Sequence, residues 1–189
     1  LIEEFRAYVY GKKGIFLSSK CFSQSSGIPF QPYHELLDHY AHWLTLLAGQ
    51  EAREAALHRI REAVAGLGEL VAQINPVIRT WLKDVPHLAE LEEPERENQR
   101  FFMAMTALFS SLGCREQPAV LFFDDIQWAD ESSLLLLTEI AQGIAGFPLL
   151  ILVTYRDNEV TGDNSLVHFK KQLQERPGGF SELHLEPFN

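Results

Sequence analysis

The chain has 189 residues, 46% of them hydrophobic and 22% charged. Lys and Arg number 16 against 26 Asp and Glu, a net charge of −10 with neutral His. This is ordinary composition for one globular domain. It excludes a disordered chain, a membrane-spanning segment and a basic nucleic-acid footprint.

The chain opens Leu1-Ile2-Glu3-Glu4, which is no signal peptide and reads as a processed chain or a fragment. Leu1, Ile2, Phe5 and Val9 then recur at helical spacing. After Gly11 and Gly14, Ile15-Phe16-Leu17 predicts a strand reaching Lys20 or Cys21. Positions 23 to 31 are a Ser-, Gly- and Pro-rich loop. Pro32 opens a helix whose inward stripe is Tyr33, Leu36, Leu37, Tyr40, Ala41, Leu44, Leu47 and Ala48, stopped by Gly49. A second helix is expected over 51–65, with Ala52, Ala55, Ala56, Ile60 and Ala63 inward. The apolar stretch 70–82 is interrupted by Pro76 and predicts one or two short helices. An acidic linker over 84–94 precedes a helix over 95–112.

Pro118 introduces Ala119-Val120-Leu121-Phe122-Phe123, a run apolar on both faces, as buried parallel strands are. Asp130 caps a helix running to Ala145. Leu149 to Thr154 is a second buried strand. A helix over 164–175, a turn at Pro177-Gly178-Gly179 and a last short strand over Ser181 to Leu185 complete the chain. Strands alternating with helices give an α/β class with a parallel sheet. No strand falls between 32 and 112, which reads as a helical insertion between the first two strands.

Two strand ends carry candidate chemistry. Asp124 and Asp125 stand at the C-terminal end of the first apolar run, where open α/β sheets bind ligands. One carboxylate there suits Mg²⁺, directly or through its water; the other suits orientation of an attacking water. The plainer reading is two Asp ending a strand and capping a turn. Thr154 and Arg156 end the next strand and share a face. Arg156 suits a terminal phosphate; the plainer reading pairs it with Asp157 or Glu159.

Val120 to Asp130, VLFFDDIQWAD, resembles the Walker B region of AAA+-type P-loop ATPases, and more narrowly that of the STAND class of signal-transduction ATPases. Ile151 to Arg156, ILVTYR, is similar to the sensor strand of that class. KCFSQSSGIPFQP from Lys20, ENQRFF from Glu97 and YRDNEV from Tyr155 add to a resemblance that spans nearly all of the chain. It looks like the ATPase module of large bacterial multidomain regulators: hybrid serine/threonine-kinase–histidine-kinase proteins, cyclase-linked ATPases and ATPase-linked transcription regulators.

The resemblance implies a P-loop NTPase three-layer sandwich with a mostly parallel sheet. It implies ATP and Mg²⁺ as cofactors, with Asp124 as the metal carboxylate and Asp125 as the water-activating residue. Arg156 would sense the γ-phosphate, with Thr154 beside it. Gln127 and Asp130 belong to the motif; Asp130 reads first as a cap and Trp128 first as packing. The sequence departs from the family in one respect. GxxxxGK[ST], whose backbone N–H groups and Lys hold phosphates, does not occur. Gly11-Lys12 is followed by Lys13, and Arg6 stands where the motif needs Gly.

The expected loop would lie just before Leu1, together with the strand that feeds it. In the family's sheet order, 5-1-4-3-2, that strand lies between a last strand near Leu183 and the Ile151 strand. Residues 1–189 then form a partial ATPase domain, N-terminally truncated, with 32–112 inserted. Such a chain is expected to bind ATP weakly or not at all in isolation. The intact module would switch an attached kinase, cyclase or transcription-regulator output domain, with oligomerisation on activation.

Two other readings stand beside it: a nucleotide-binding switch without significant hydrolysis, and a replication-initiator-like ATPase acting on DNA. The acidic charge argues against the second. Cys21 and Cys114 form no metal spacing and no disulfide framework, which suits a cytoplasmic protein. Cys21 reads as inert packing. His34, Glu35, Asp38, His39 and His42 read as a solvated helix face before a metal site, and the stripe from Phe101 to Leu112 as core. The acidic run 90–97 reads as a linker and helix start.

Overall fold

Three short apolar runs order the architecture: the first two are buried and the third is only partly covered. The computed structural model describes residues 1–22, 29–83, 85–89, 91–160, 165–175 and 180–186. Strand β1 is Ile15–Lys20, β2 is Ala119–Asp124 and β3 is Leu149–Val153. They form a parallel sheet in the order β1-β2-β3.

One face of the sheet presents Phe16, Val120 and Phe122, which pack with Val9. Helix α1, Ile2–Gly11, covers this face through Ile2, Phe5 and Val9. The Arg6 guanidinium lies 5.0 Å from the centre of the Phe16 ring, a cation–π contact at the rim. The other face presents Ile15, Leu17, Leu121 and Phe123 to the main core. Helices α2 (Gln31–Leu46), α5 (Pro94–Ser110) and α6 (Glu131–Gly143) contribute to that core. The result is the three-layer α/β sandwich expected from the sequence.

Between β1 and β2 the chain runs through α2, α3 (Gln50–Ala63), α4 (Gly68–Ile74), a 3₁₀ turn over Pro76–Thr80 and α5. Asn75 starts that turn; its side chain accepts the Val77 N–H at 2.9 Å and donates to Asp38 at 2.8 Å. After β3, helix α7 (Ser165–Gln174) buries Leu166 and Phe169 against α6.

Tyr33 ties the layers together below the sheet's C-terminal end. Its ring centre is 5.6 Å from Phe109 and 5.5 Å from Phe123, both edge-on. It is fully buried, and its hydroxyl donates to the Ser133 carbonyl at 2.7 Å. A buried hydroxyl is tolerated where it finds an acceptor. This one links α2 to the first turn of α6.

Several expectations change. Strand β3 pairs with β2 as expected but is not buried: Leu150 is 48% exposed, because β3 is the edge strand and among the described residues only β2 flanks it. Helix α3 starts at Gln50, and only its C-terminal half reaches the core: Ala56, Leu57 and Ile60 are buried, while Ala52 and Ala55 are exposed. Ala48 is exposed because α2 already ends at Leu46. Gly49, at φ +106°, precedes α3 rather than closing α2. Ser181 to Leu185 forms no strand. The segment makes no backbone ladder with β3; Leu183 and Leu185 are 84% and 68% exposed. Its fixed points are side chains: Glu182 on Lys170 and Tyr155, and His184 on Asp157 at 3.1 Å. Most of the Ser-rich loop (23–28), positions 84 and 90 of the linker, position 164 of the last expected helix and the turn at 177–179 lie outside the described residues.

Gly113 marks a close backbone approach. A Cβ there would sit 2.8 Å from both the Ala119 nitrogen and the Pro148 carbonyl oxygen, where β2 and β3 begin. Backbone atoms cannot yield as a side chain does. Gly113→Ala is therefore expected to destabilise the protein by about 1–3 kcal/mol in chemical denaturation. An unchanged midpoint would contradict this packing.

Candidate functional site

Sheet register decides which residues meet. Lys20 is the register partner of Asp124, and Phe123 that of Val153. The C-terminal ends of all three strands therefore lie side by side, and Thr154 follows directly beside Asp124. Apolar residues run up each strand and polar ones stand at the edge where burial ends.

The chain leaves β2 abruptly. Asp125 has φ 54° and ψ 45°, the left-handed region that Asp tolerates better than most residues. A one-turn 3₁₀ segment, Ile126–Trp128, follows. The turn aims both backbone and side chain of Asp125 at the end of β3. The Asp125 N–H donates to the Thr154 hydroxyl at 3.2 Å, and the Ile126 N–H to the Thr154 carbonyl at 2.9 Å. That hydroxyl in turn donates to Asp124 Oδ1 at 2.6 Å. Thr154 thus holds the Asp124 carboxylate and the Asp125 backbone from one side.

Cations fix them from the others. Lys20 Nζ lies 3.1 Å from Asp124 Oδ2 and 2.9 Å from Asp125 Oδ2. Arg156 Nε lies 3.4 Å from Asp125 Oδ1, and Gln127 donates to the same oxygen at 3.3 Å. Glu159 closes the ring, accepting from Arg156 at 3.0 Å and from Gln127 at 2.8 Å. On the β1 side, the Lys20 N–H donates to Glu35 at 3.0 Å, and Gln31 holds Glu35 from within α2. The Cys21 N–H donates to the Asp124 carbonyl at 2.9 Å.

The electrostatics follow from these contacts. The hydrogen bond from Lys20 holds the Asp125 carboxyl below the usual carboxylate range; Gln127 and Arg156 add to this, and partial burial opposes it. The same pairing, first with Asp125 and then with Asp124, raises the Lys20 ammonium above its ordinary value. Behind the site, burial pushes the Cys21 thiol up to about 12, with Glu35, Asp130, Asp124 and Asp125 adding to the effect.

All four residues predicted from the strand ends, Asp124, Asp125, Thr154 and Arg156, fall in one hydrogen-bonded cluster. Arg156 pairs with Glu159, as its plainer reading expects, and also reaches Asp125. Asp130 caps α6, accepting the Ser133 N–H at 2.9 Å. Trp128 is 43% exposed and is not core packing. Glu35 departs from its expected solvated face and supports β1. Lys20, Gln127 and Glu159 complete the cluster. Lys20 was detectable by the rule that found Asp124: a polar residue ending an apolar strand.

The donor set suits a hard cation. It offers two carboxylates and a hydroxyl, and an ammonium already sits on the carboxylates. Among the described residues no group of three or more His, Cys, Asp or Glu side chains is placed to hold a metal. An ion such as Mg²⁺ needs only one or two protein carboxylates, the rest of its shell being water and phosphate oxygens. Asp124 and Asp125 fit that mode.

Two measurements test this geometry. A carboxylate with a lowered pKa contributes stability above its unfolded value of 3.8, and that contribution disappears as pH falls through the folded value. Asp125→Asn, which also tolerates the left-handed backbone, is expected to remove this part of the acid sensitivity below pH about 4. Parallel acid-unfolding curves for wild type and variant would contradict it. The Cys21 thiol stays protonated in the fold up to about 12. A thiol reagent at mildly alkaline pH is expected to modify the partly exposed Cys114 first and Cys21 only on unfolding. Equal labelling rates would contradict the burial.

Comparison with known proteins bears on what the cluster is. A model of the AAA ATPase domain matches residues 1–152. An uncharacterized protein of Rhizobium meliloti (strain 1021) is 28% identical over 161 residues, which cover 82% of this chain. The chain spans 15% of the length of that relative. No solved structure matches. With most of its length matched by the family's model, the chain belongs to the AAA ATPase domain family.

Proposed function

We propose that the chain is the ATP-binding and hydrolysing switch module of a multidomain signalling protein of the STAND type. Family membership supports a nucleotide-binding, ATPase-type function. One observation carries the finer reading. Asp124 and Asp125, Thr154 and Arg156 come from adjacent strand ends and converge in one cluster at the edge where open α/β sheets take ligands.

In this reading Asp124 holds Mg²⁺, and the Thr154 hydroxyl keeps its carboxylate oriented. Mg²⁺, when bound, supplies the positive charge that neutralises the phosphates. Asp125 orients the attacking water and accepts its proton. Arg156 stands one residue beyond Tyr155 to contact the terminal phosphate and favour charge developing there. The α- and β-phosphates call for a GxxxxGK[ST] loop, which the 189 residues do not contain. We read residues 32–112 as a helical insertion in this module.

The attached partners would be kinase, cyclase or transcription-regulator domains, with oligomerisation on activation. No described helix is long and apolar enough to cross a membrane. We place the protein in the cytoplasm, which suits its two free thiols. A second reading, nucleotide switching without significant turnover, draws on the engagement of Asp125. Both of its oxygens already hold partners.

Asp125→Asn in the full-length protein separates the two readings. Hydrolysis is expected to fall about 100-fold or more as the base is lost, while nucleotide binding persists. Turnover equal to wild type would remove Asp125 from the mechanism; negligible turnover in wild type itself would favour the second reading. The 189-residue chain alone is expected to bind ATP weakly or not at all. A micromolar dissociation constant by calorimetry would refute that.

A further inference from the structure

Among the described residues, Asp124 Oδ2 and Asp125 Oδ2 have one bonding partner in common, the Lys20 ammonium. The other oxygen of each carboxylate is held elsewhere. Asp124 Oδ1 accepts from Thr154, and Asp125 Oδ1 lies against Arg156 and Gln127. The ammonium therefore marks a point on which one oxygen from each carboxylate converges. If Lys20 leaves, both carboxylates stay oriented by their second oxygens and present a pair of free oxygens to that point.

Lys20 is built to leave. Its backbone is fixed: β1 pairs with β2, and its N–H is held by Glu35. Its side chain is half exposed on a flexible stem. Its pair with Asp124 is exposed on both sides, and such pairs are weak enough to exchange; with Asp125 it is the lysine end that lies open to solvent. Nothing in the backbone need move, so the exchange is local and reversible.

We propose that Lys20 is a resident counter-cation of the Asp124–Asp125 pair, exclusive with a divalent metal ion, and that it sets how tightly the site takes that ion. This rests on the reading of Asp124 as the metal carboxylate. Lys20 is a positioning residue: in its seated state it neutralises two adjacent carboxylates that would otherwise repel. A dication entering the same point meets the ammonium as a like charge and must displace it. Binding energy is spent on expelling Lys20, so affinity is lower than the bare oxygens would give. Metal occupancy and the release of a lysine at the end of β1 become one event.

The test is titration of the 189-residue chain with Mn²⁺ alone, following free Mn²⁺ by electron paramagnetic resonance. Lys20→Met is expected to bind Mn²⁺ about tenfold more tightly than wild type, since a like charge has been removed from contact distance. Lys20→Arg is expected to stay near wild type. Asp124→Asn should abolish binding in either background. Lys20→Met should also melt below wild type without metal and recover with Mn²⁺, a response that a merely structural lysine would not give. Lys20→Gln carries the same comparison should Lys20→Met fail to fold. Binding that is lost in Asp124→Asn yet equal in wild type and Lys20→Met would overturn the exclusion and leave the metal reading intact. No binding by any variant, or binding indifferent to Asp124→Asn, would overturn both.

Discussion

The parallel register of three strands is the constraint on which everything at the site depends. Lys20, Asp124 and Thr154 are far apart in sequence, and no local turn joins them. They meet because Ile15 pairs with Ala119, Ala119 with Leu149, and the strands have nearly equal length. A slip of one residue would turn Leu121 and Phe123 toward α1 and carry the Asp pair out of line with Thr154. The core therefore enforces the site. Ile15, Leu17, Leu121 and Phe123 must face the same way for burial, and their doing so aligns the polar ends.

The helical layer adds the second restraint. Tyr33 joins α2, β2 and the start of α6 through two edge-on rings and one buried hydrogen bond. Directly above it in the fold, α2 supplies Glu35 to the end of β1. The first turn of α6 is held by the Asp130 cap. Elements on either side of the Asp125 turn are thus pinned to the same buried ring. A left-handed aspartate is an unfavourable local choice, and such residues persist where their surroundings over-determine them. Here the determinants are the Thr154 hydroxyl and carbonyl, which capture the N–H groups of Asp125 and Ile126.

Much of this was legible in the sequence because burial leaves a periodic trace. The both-faced apolar runs at Ile15 and Ala119, the stripe from Tyr33 to Leu44 and the Asp130 cap all appear as spelled, whereas the run at Leu149 forms its strand without the burial its composition suggests. Ser181 to Leu185 has the composition of a strand without its ladder, and pairing is a property of two segments, which no single segment encodes. Ala52 and Ala55 have the right spacing for burial, but spacing does not say where a helix outruns the core. In the site, the strand-end rule found the carboxylates, Thr154 and Arg156. The same rule applies to Lys20, but its meaning lies in the register with Asp124; it does not reach Glu159, whose partners Gln127 and Arg156 are brought to it by the fold.

The resulting cluster has its charged groups paired but carries one more carboxylate than cation, and that shapes what a ligand must do. Three carboxylates, Asp124, Asp125 and Glu159, share the positive charges of Lys20 and Arg156 in a closed ring. In the proposed function, an anionic ligand that took Arg156 would leave Glu159 with Gln127 alone, and a cation that took the Asp pair would displace Lys20. A ligand shifts such an arrangement only by as much as it prefers the opened state over the closed one. A phosphate alone would add negative charge to a site with an acidic excess, and a metal ion alone would crowd Lys20. Arriving together, the metal ion would take the place of Lys20 and the phosphate that of Glu159 on Arg156, each offsetting the other's charge. On the proposed reading, a site of this construction would favour the metal–phosphate pair over either component, through side chains that its own strand ends already place.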